Sequence, residues 1–169
     1  MSMRLSKQGF TLIELLTVVL IIGILTSIAL PNYSRSIERS RAVEAMAVIK
    51  SINDATYAYY AAHLQCPPSF SKLIVDMPGA GNTKTVVGKT FTYKLGENIG
   101  TAATNRIFGT SCASATAIRN AGDYKYRIWN PYKTGTGAKR SLACKGENEK
   151  SIAICDSLDL LEGTPPANF

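Results

Sequence analysis

The sequence predicts an α+β protein: a long N-terminal helix whose apolar first half is transmembrane and whose second half packs on a small antiparallel β-sheet. The helix is predicted by an unbroken apolar run over residues 10–30 and by a two-sided pattern that continues to about residue 62. Short stretches of alternating polar and apolar residues later in the chain predict the sheet. We therefore expect a short polar stretch at 1–9, a membrane-spanning half at 10–30, and a globular domain at 31–169 that includes the amphipathic helix half 31–62.

The apolar run FTLIELLTVVLIIGILTSIAL extends from Phe10 to Leu30 and contains one charged residue, Glu14. As a helix, 21 residues reach roughly 30 Å, the hydrocarbon thickness of a bilayer. A conventional secretory signal has a shorter apolar core that ends in small residues at a cleavage site. This run is too long and lacks such a site, so it predicts a membrane span, and a simple membrane anchor remains an alternative.

Four cysteines, Cys66, Cys112, Cys144 and Cys155, all follow the apolar run. An even number placed this way predicts two disulfides in an oxidising compartment, although four cysteines permit three pairings and the sequence does not choose among them. The basic residues that flank the span do not orient it, because both flanks carry them. The cysteines therefore indicate that the C-terminal part lies outside the cytoplasm.

The stretch KQGFTLIELL at residues 7–16, with the apolar run after it, resembles the N-terminus of type IV pilins and the related pseudopilins. The resemblance implies that residues 1–9 are a leader peptide: prepilin peptidase, a membrane-embedded aspartic peptidase, cuts after Gly9 and then methylates the new terminal amine of Phe10. It implies a structural filament subunit rather than an enzyme. The alternatives within the resemblance are a pseudopilin of a type II secretion or DNA-uptake system, and a minor pilin that binds DNA or surfaces.

The same resemblance implies the partners and the location of the chain. The partners are further copies of the chain in a helical homopolymer, prepilin peptidase, the pilus assembly machinery of the inner membrane, and membrane lipid before assembly. The precursor is expected in the inner membrane as a single-pass protein. The mature chain is expected in an extracellular filament or a periplasmic pseudopilus.

The presence of Glu14 in the apolar run needs a physical reason. Placing a carboxylate in a membrane helix costs free energy, and such residues are usually paired or functional. The resemblance implies that it meets the terminal amine of a neighbouring subunit and thereby sets the axial register of assembly. The alternative is that Glu14, only four residues into the mature helix, reaches the membrane interface by snorkelling.

Gly23 and Pro31 are the two positions in this segment that weaken a helix. Proline removes the hydrogen bond to the carbonyl of Ser27 and crowds it, which predicts a kink. The resemblance implies that the helix extends, or melts, between Gly23 and Pro31 in a filament; the alternative is a static kink.

Many pilins carry a disulfide-bound C-terminal region, and this resemblance favours a Cys144–Cys155 bond, whose short loop is also the easiest to close. Cys66 would then pair with Cys112. The cysteines and the only histidine, His63, lack the spacing of a zinc site, and the C-terminal carboxylates are too sparse for a calcium loop. We expect no metal, no cofactor and no catalytic residue.

In the globular part, a stripe of apolar residues on the second helix half is predicted to face the sheet. The polar residues Arg35, Glu38, Arg39, Arg41, Glu44 and Lys50 fall mostly outside that stripe. The predicted strands are Thr83–Val87, Thr90–Leu95, Tyr124–Asn130 and Lys139–Cys144, with Ser151–Cys155 as a further candidate. A short helix is predicted over Ser71–Met77 and a long surface connection over Gly96–Gly122.

The formal charge of +7 favours anionic partners. Basic residues alternate with aromatic ones late in the chain, a pattern that suits single-stranded nucleic acid. The basic members are Lys125, Arg127, Lys133, Lys139, Arg140 and Lys145, and the aromatic members are Tyr124, Tyr126, Trp129 and Tyr132. Because a half-buried strand shows the same spacing, nucleic acid is the less favoured partner.

Overall fold

The computed structural model describes residues 9–77, 81–96, 112, 114–130 and 142–162. The chain divides into two compact units, Met1–Ile37 and Glu38–Phe169. The long helix α1, Leu12–His63, contributes to both of them.

The first unit is an exposed apolar helix. Every residue from Gly9 to Ser36 is exposed, including the bulky aliphatic side chains of the apolar run. In the described part of the chain, α1 is the one helix long and apolar enough to cross a membrane, with a mean hydropathy of 2.5 in its most apolar 18-residue window. A helix that is apolar on all sides and has no protein around it is suited to lipid or to other apolar helices.

The second unit is built on a sheet with the strand order β1-β2-β3-β4-β5-β6. The strands are β1 (Thr85–Val87), β2 (Thr92–Lys94), β3 (Thr116–Ala121), β4 (Tyr124–Trp129), β5 (Ala143–Gly146) and β6 (Leu161–Glu162). The first five pair antiparallel, as the sequence pattern predicts, whereas β6 pairs parallel to β5. The α+β prediction is therefore confirmed, with one parallel edge added.

The core of this unit lies between the second half of α1 and the sheet. Ala42, Ala45 and Ile49 of α1 are completely buried and pack against Ile128 of β4 and Ala117 of β3. Small residues on the helix let its backbone approach the sheet closely, and the large strand side chains fill the remaining space. The three- and four-residue spacing that predicts this face is thus confirmed.

The central strand β3 corrects the predicted connection over Gly96–Gly122. Its residues, TAIRNA, are small and mixed, so they show no clear alternation. The turn to β4 consists of two residues, Gly122 and Asp123, with Gly122 at φ +59°. A glycine at the first position of a two-residue turn is a hairpin signal, and reading it would have indicated a strand before Tyr124.

The candidate strand Ser151–Cys155 is also wrong, because these residues lie in a helix, α2 (Glu149–Ser157). Asn148 caps it: its side chain accepts a hydrogen bond from the backbone nitrogen of Ser151 at 2.9 Å. Ser151, Ile154 and Cys155 are buried at helical spacing. The run was too short for its period to be read from sequence alone.

The predicted helix over Ser71–Met77 is replaced by one turn of 3-10 helix, Phe70–Lys72, followed by irregular chain. Phe70 is buried and anchors the turn. The predicted strand Lys139–Cys144 corresponds to β5, and its first three residues lie outside the described part of the chain.

Candidate assembly site

The segment that precedes α1 is open to solvent. Phe10 is 90% exposed, and a methyl group added at Gly9 would meet no heavy atom of the described residues within 4 Å. The described residues therefore leave the Gly9–Phe10 peptide bond uncovered. Leader residues 1–8 lie outside the described part of the chain.

Thr11 and Glu14 form a reciprocal cap at the start of α1. The backbone nitrogen and the hydroxyl of Thr11 donate to Oε2 of Glu14 at 2.8 and 2.7 Å. In return, the backbone nitrogen of Glu14 donates to the Thr11 hydroxyl at 3.3 Å. This arrangement is a capping box, in which two backbone N–H groups that have no partner within the helix are satisfied by side chains.

The capping box defines how Glu14 is held before any other subunit arrives. Its donors are neutral, and within the described part of the chain no cation lies at ion-pair distance from it. The Oε1 atom makes no hydrogen bond to the described residues. Among the described residues, the Glu14 carboxylate is thus held by Thr11 alone.

Sequence reasoning missed the role of Thr11. The spacing of Thr11 and Glu14, three residues apart just before an apolar run, is the sequence signature of a capping box. The family motif drew the interpretation of Glu14 towards an intermolecular partner, and the local partner was not considered.

Helix α1 continues through Gly23 and Pro31 without ending. Polar side chains near the proline bond to carbonyls of the preceding turn: Ser27 donates to Ile24 at 2.7 Å and Ser34 donates to Leu30 at 3.0 Å. Such bonds satisfy carbonyl groups in a helix that has no protein around it.

The cysteines form two disulfides, Cys66–Cys112 and Cys144–Cys155. They are the same pairs that the resemblance favours. The first joins the segment after α1 to the chain just before β3, with a sequence separation of 46. The second joins β5 to α2, with a separation of 11.

A second glutamate, Glu38, was assigned to the polar side of α1 but is buried, with 1% of its surface exposed. Its Oε1 accepts from Nε of Arg119 at 2.6 Å and from the hydroxyl of Tyr126 at 3.0 Å. Its Oε2 accepts from Nη2 of Arg119 and Nη1 of Arg41, both at 3.1 Å. The sequence did not indicate that Glu38 is buried and paired, because Arg119 lies 81 residues away in a strand that was not predicted.

Burial raises the pKa of Glu38, but the hydrogen bonds from Arg119, Tyr126 and Arg41 outweigh it and hold the pKa below its ordinary value. Burial, together with the Glu38 charge, raises the pKa of the Tyr126 hydroxyl. The site therefore contains a carboxylate and a neutral phenol that are both stable near neutral pH.

The alternating basic and aromatic pattern does not form a stacking surface in the described residues. Tyr126 and Trp129 are buried, and Tyr124 is half-buried against the core. Lys125 and Lys145 are exposed, whereas Arg127 pairs with Glu147 at 3.3 Å. Lys133, Lys139, Arg140 and Tyr132 lie outside the described part of the chain.

Metal-binding side chains do not converge in the described ranges. Across these ranges, no group of three or more His, Cys, Asp or Glu residues is arranged to hold a metal ion. His63 stacks on Tyr59 at the end of α1, with 4.2 Å between ring centroids.

Comparison with known proteins shows the family. Residues 4–30 match the model of the prokaryotic N-terminal methylation motif. A fimbrial protein of Dichelobacter nodosus is 36% identical over 138 residues, which cover 82% of this chain and 74% of that protein. The fimbrial protein EcpC of Eikenella corrodens is 35% identical over 66% of each chain, and the type IV major pilin PilE1 of Neisseria gonorrhoeae is 36% identical over 45% of this chain and 46% of its own length.

The methylation motif covers the Gly9–Phe10 bond and the capped Glu14, and the similarity to the Dichelobacter protein extends well into the disulfide-bonded globular part. The chain therefore belongs to the type IV pilin family, whose members are structural subunits and not enzymes.

Proposed function

We propose that the chain is a prepilin that is cut between Gly9 and Phe10, methylated on the Phe10 amine, and assembled through α1 into a type IV pilus-like filament. The observation that carries the assembly step is the state of Glu14. It is the one acidic residue in an exposed apolar helix segment, and among the described residues only neutral groups of Thr11 bond to it.

Before assembly, the exposed apolar half of α1 would lie in the inner membrane. The mean hydropathy of 2.5 and the absence of buried residues in that window support this placement. The two disulfides support a globular part on the oxidising side of the membrane. Prepilin peptidase and the assembly machinery would meet the protein in this state.

Cleavage would create a positively charged amine four residues before Glu14. In a filament, the amine of one subunit would approach the carboxylate of Glu14 on its neighbour. Low dielectric strengthens such a pair, and a subunit out of register would leave both charges uncompensated. Glu14 would thus select the axial register, while van der Waals packing between copies of α1 would hold the assembled subunits together.

Gly23 and Pro31 would allow the exposed helix to lengthen in the filament. Pro31 lacks the N–H that would bond to Ser27, and Gly23 has a higher entropy cost in a helix than alanine. The residues from Gly23 to Pro31 are all exposed. The helical state of this stretch is therefore the easiest part of α1 to change.

The decisive experiment compares Glu14→Leu with Thr17→Leu, a matched loss of a polar group three residues further along the same exposed helix. We expect both variants to insert and to lose the leader, as shown by mass spectrometry of a mature chain that starts at Phe10. Glu14→Leu should reduce sheared surface filaments by at least about tenfold, whereas Thr17→Leu should leave the yield near wild type. A normal filament yield for Glu14→Leu would rule out the assembly role.

A further inference from the structure

Glu38 is the first buried residue of α1. Upstream of it the described residues from Gly9 to Ser36 are all exposed, and downstream Ala42, Ala45 and Ile49 are completely buried. The charged network around Glu38 therefore lies where α1 first contacts the sheet of its own globular unit.

The network ties this turn of α1 to three strands or their flanks. Arg119 on β3 grips the carboxylate with two nitrogens, at 2.6 and 3.1 Å, and donates a third bond to the carbonyl of Thr90, just before β2, at 3.0 Å. Tyr126 on β4 donates to the same carboxylate. A planar guanidinium that binds both carboxylate oxygens allows only a narrow range of geometry. The turn of α1 that carries Glu38 therefore has little freedom to rotate relative to the sheet.

Such a network is poorly explained by stability alone. A buried ion pair loses much of its Coulomb energy to desolvation, and apolar residues of similar volume are often as stable. What the pair does provide is a steep penalty for separation, because moving Glu38 leaves a buried, unpaired Arg119. This free-energy cost of separation is local. It applies to the turn of α1 at Glu38, which unwinding that spreads from Pro31 towards the globular unit would reach next.

We propose that the Glu38–Arg119 pair is a stop that confines unwinding of α1 to the residues before Glu38. The idea rests on the proposed function for its purpose: when a filament is stretched, the helix around Pro31 lengthens and the globular unit keeps its part of α1. Without the stop, unwinding would continue into Ala42 and Ala45 and open the core.

The stop is testable on the full-length protein in detergent micelles, where no filament is needed. Amide hydrogen exchange should be fast over residues 32–37 and slow from residue 39 onward. Glu38→Gln should speed exchange over residues 39–45 by at least roughly tenfold, with little change in the strands β3 and β4. Glu44→Gln, a matched change of an exposed acid on the same helix, should leave exchange within about twofold of wild type.

A milder variant covers the case in which Glu38→Gln fails to fold. Arg119→Lys keeps the positive charge but loses the two-nitrogen grip, so it should loosen residues 39–45 by a smaller factor. The fluorescence of Trp129, which is buried in the same unit, reports whether each variant is folded. No change over 39–45, or an equal increase throughout the globular unit, would overturn the proposal.

Trypsin tests the stop under load, because Arg35 and Arg39 lie on either side of Glu38. Stretching wild-type filaments in flow should increase cleavage after Arg35 and not after Arg39, and Glu38→Gln filaments should be cut after both. Equal cleavage at the two sites in stretched wild type would overturn the proposal. Failure of the wild type to form filaments would instead contradict the proposed function, and the micelle experiment would still decide the stop.

Discussion

The two halves of α1 carry two glutamates in opposite circumstances. Glu14 lies in an exposed apolar segment and, among the described residues, bonds to Thr11 beside it, whereas Glu38 is buried and bonds to two strands of the sheet. Glu14 is held by neutral donors and Glu38 by Arg119 and Arg41. The same residue type is therefore capped by a local neutral side chain in one unit and bound by charged residues of the globular unit in the other.

The difference teaches where each unit obtains its stability. The globular unit has a core, two disulfides and a satisfied ion pair, so it should unfold as a body. The exposed helix has only its own hydrogen bonds and needs lipid or neighbouring helices to cover it. Changes in one unit should therefore leave the other nearly unaffected.

The largest expected effect is on the disulfides. In the chain-entropy model, a bond that closes 46 residues stabilises by about 4 kcal/mol and one that closes 11 by about 3 kcal/mol. We expect the double variant Cys66→Ser/Cys112→Ser to lose more stability than Cys144→Ser/Cys155→Ser, measured by denaturant unfolding with Trp129 fluorescence. The helicity of the exposed segment in micelles should persist in both. Loss of that helicity would contradict the expectation that the two units are stabilised independently.

Acid should weaken the globular unit through Glu38. Its folded pKa lies below the ordinary 4.5 of the unfolded chain, so its contribution to stability is present above pH 4.5 and is lost as the pH falls through the folded value. The denaturant midpoint should be measured from pH 7 to pH 3. In wild type it should decrease once the pH is below about 4.5, and in Glu38→Gln it should decrease less. If the denaturant midpoint changed equally with pH in the two proteins, Glu38 would not couple folding to protonation.

Leu64 should yield a smaller, stabilising change. It follows α1 with φ +55°, a left-handed conformation that costs a leucine about 1–2 kcal/mol. Glycine is favoured at this position after a helix, and its greater freedom in the unfolded chain offsets part of the gain. Leu64→Gly should therefore stabilise the globular unit by about 0.5–1 kcal/mol in the same unfolding assay. A matched Ala62→Gly change, inside the helix, should destabilise it instead.

The smallest expected effect on the globular unit comes from Thr11→Ala. Loss of the cap costs a helix terminus about 1 kcal/mol, which should speed exchange of the first-turn amides in micelles. The Trp129 unfolding curve should not move, because neither Thr11 nor Glu14 belongs to the described core. A shift of that curve would mean that the two units are coupled.

Sequence patterns predict α1 well because a 21-residue apolar run and a three-to-four-residue stripe are local, repeated signals. Strands β1, β2, β4 and β5 follow from alternation and turn residues, within a few positions. Strand β3 and helix α2 were missed because TAIRNA has no clear period and SIAIC is too short to show one. The Thr11–Glu14 cap was readable and was overlooked.

The sequence by itself determined the apolar span, the family motif around Gly9 and Phe10, and the presence of one acid in that span, since each depends on neighbours along the chain. Only the tertiary structure decided the partners of Glu38, the parallel edge strand β6 and the burial of Tyr126 and Trp129. These depend on residues brought together from distant positions, as Arg119 is to Glu38. The sequence around a glutamate does not show whether its side chain will bind a distant arginine or face solvent. Only the folded structure decides between the two.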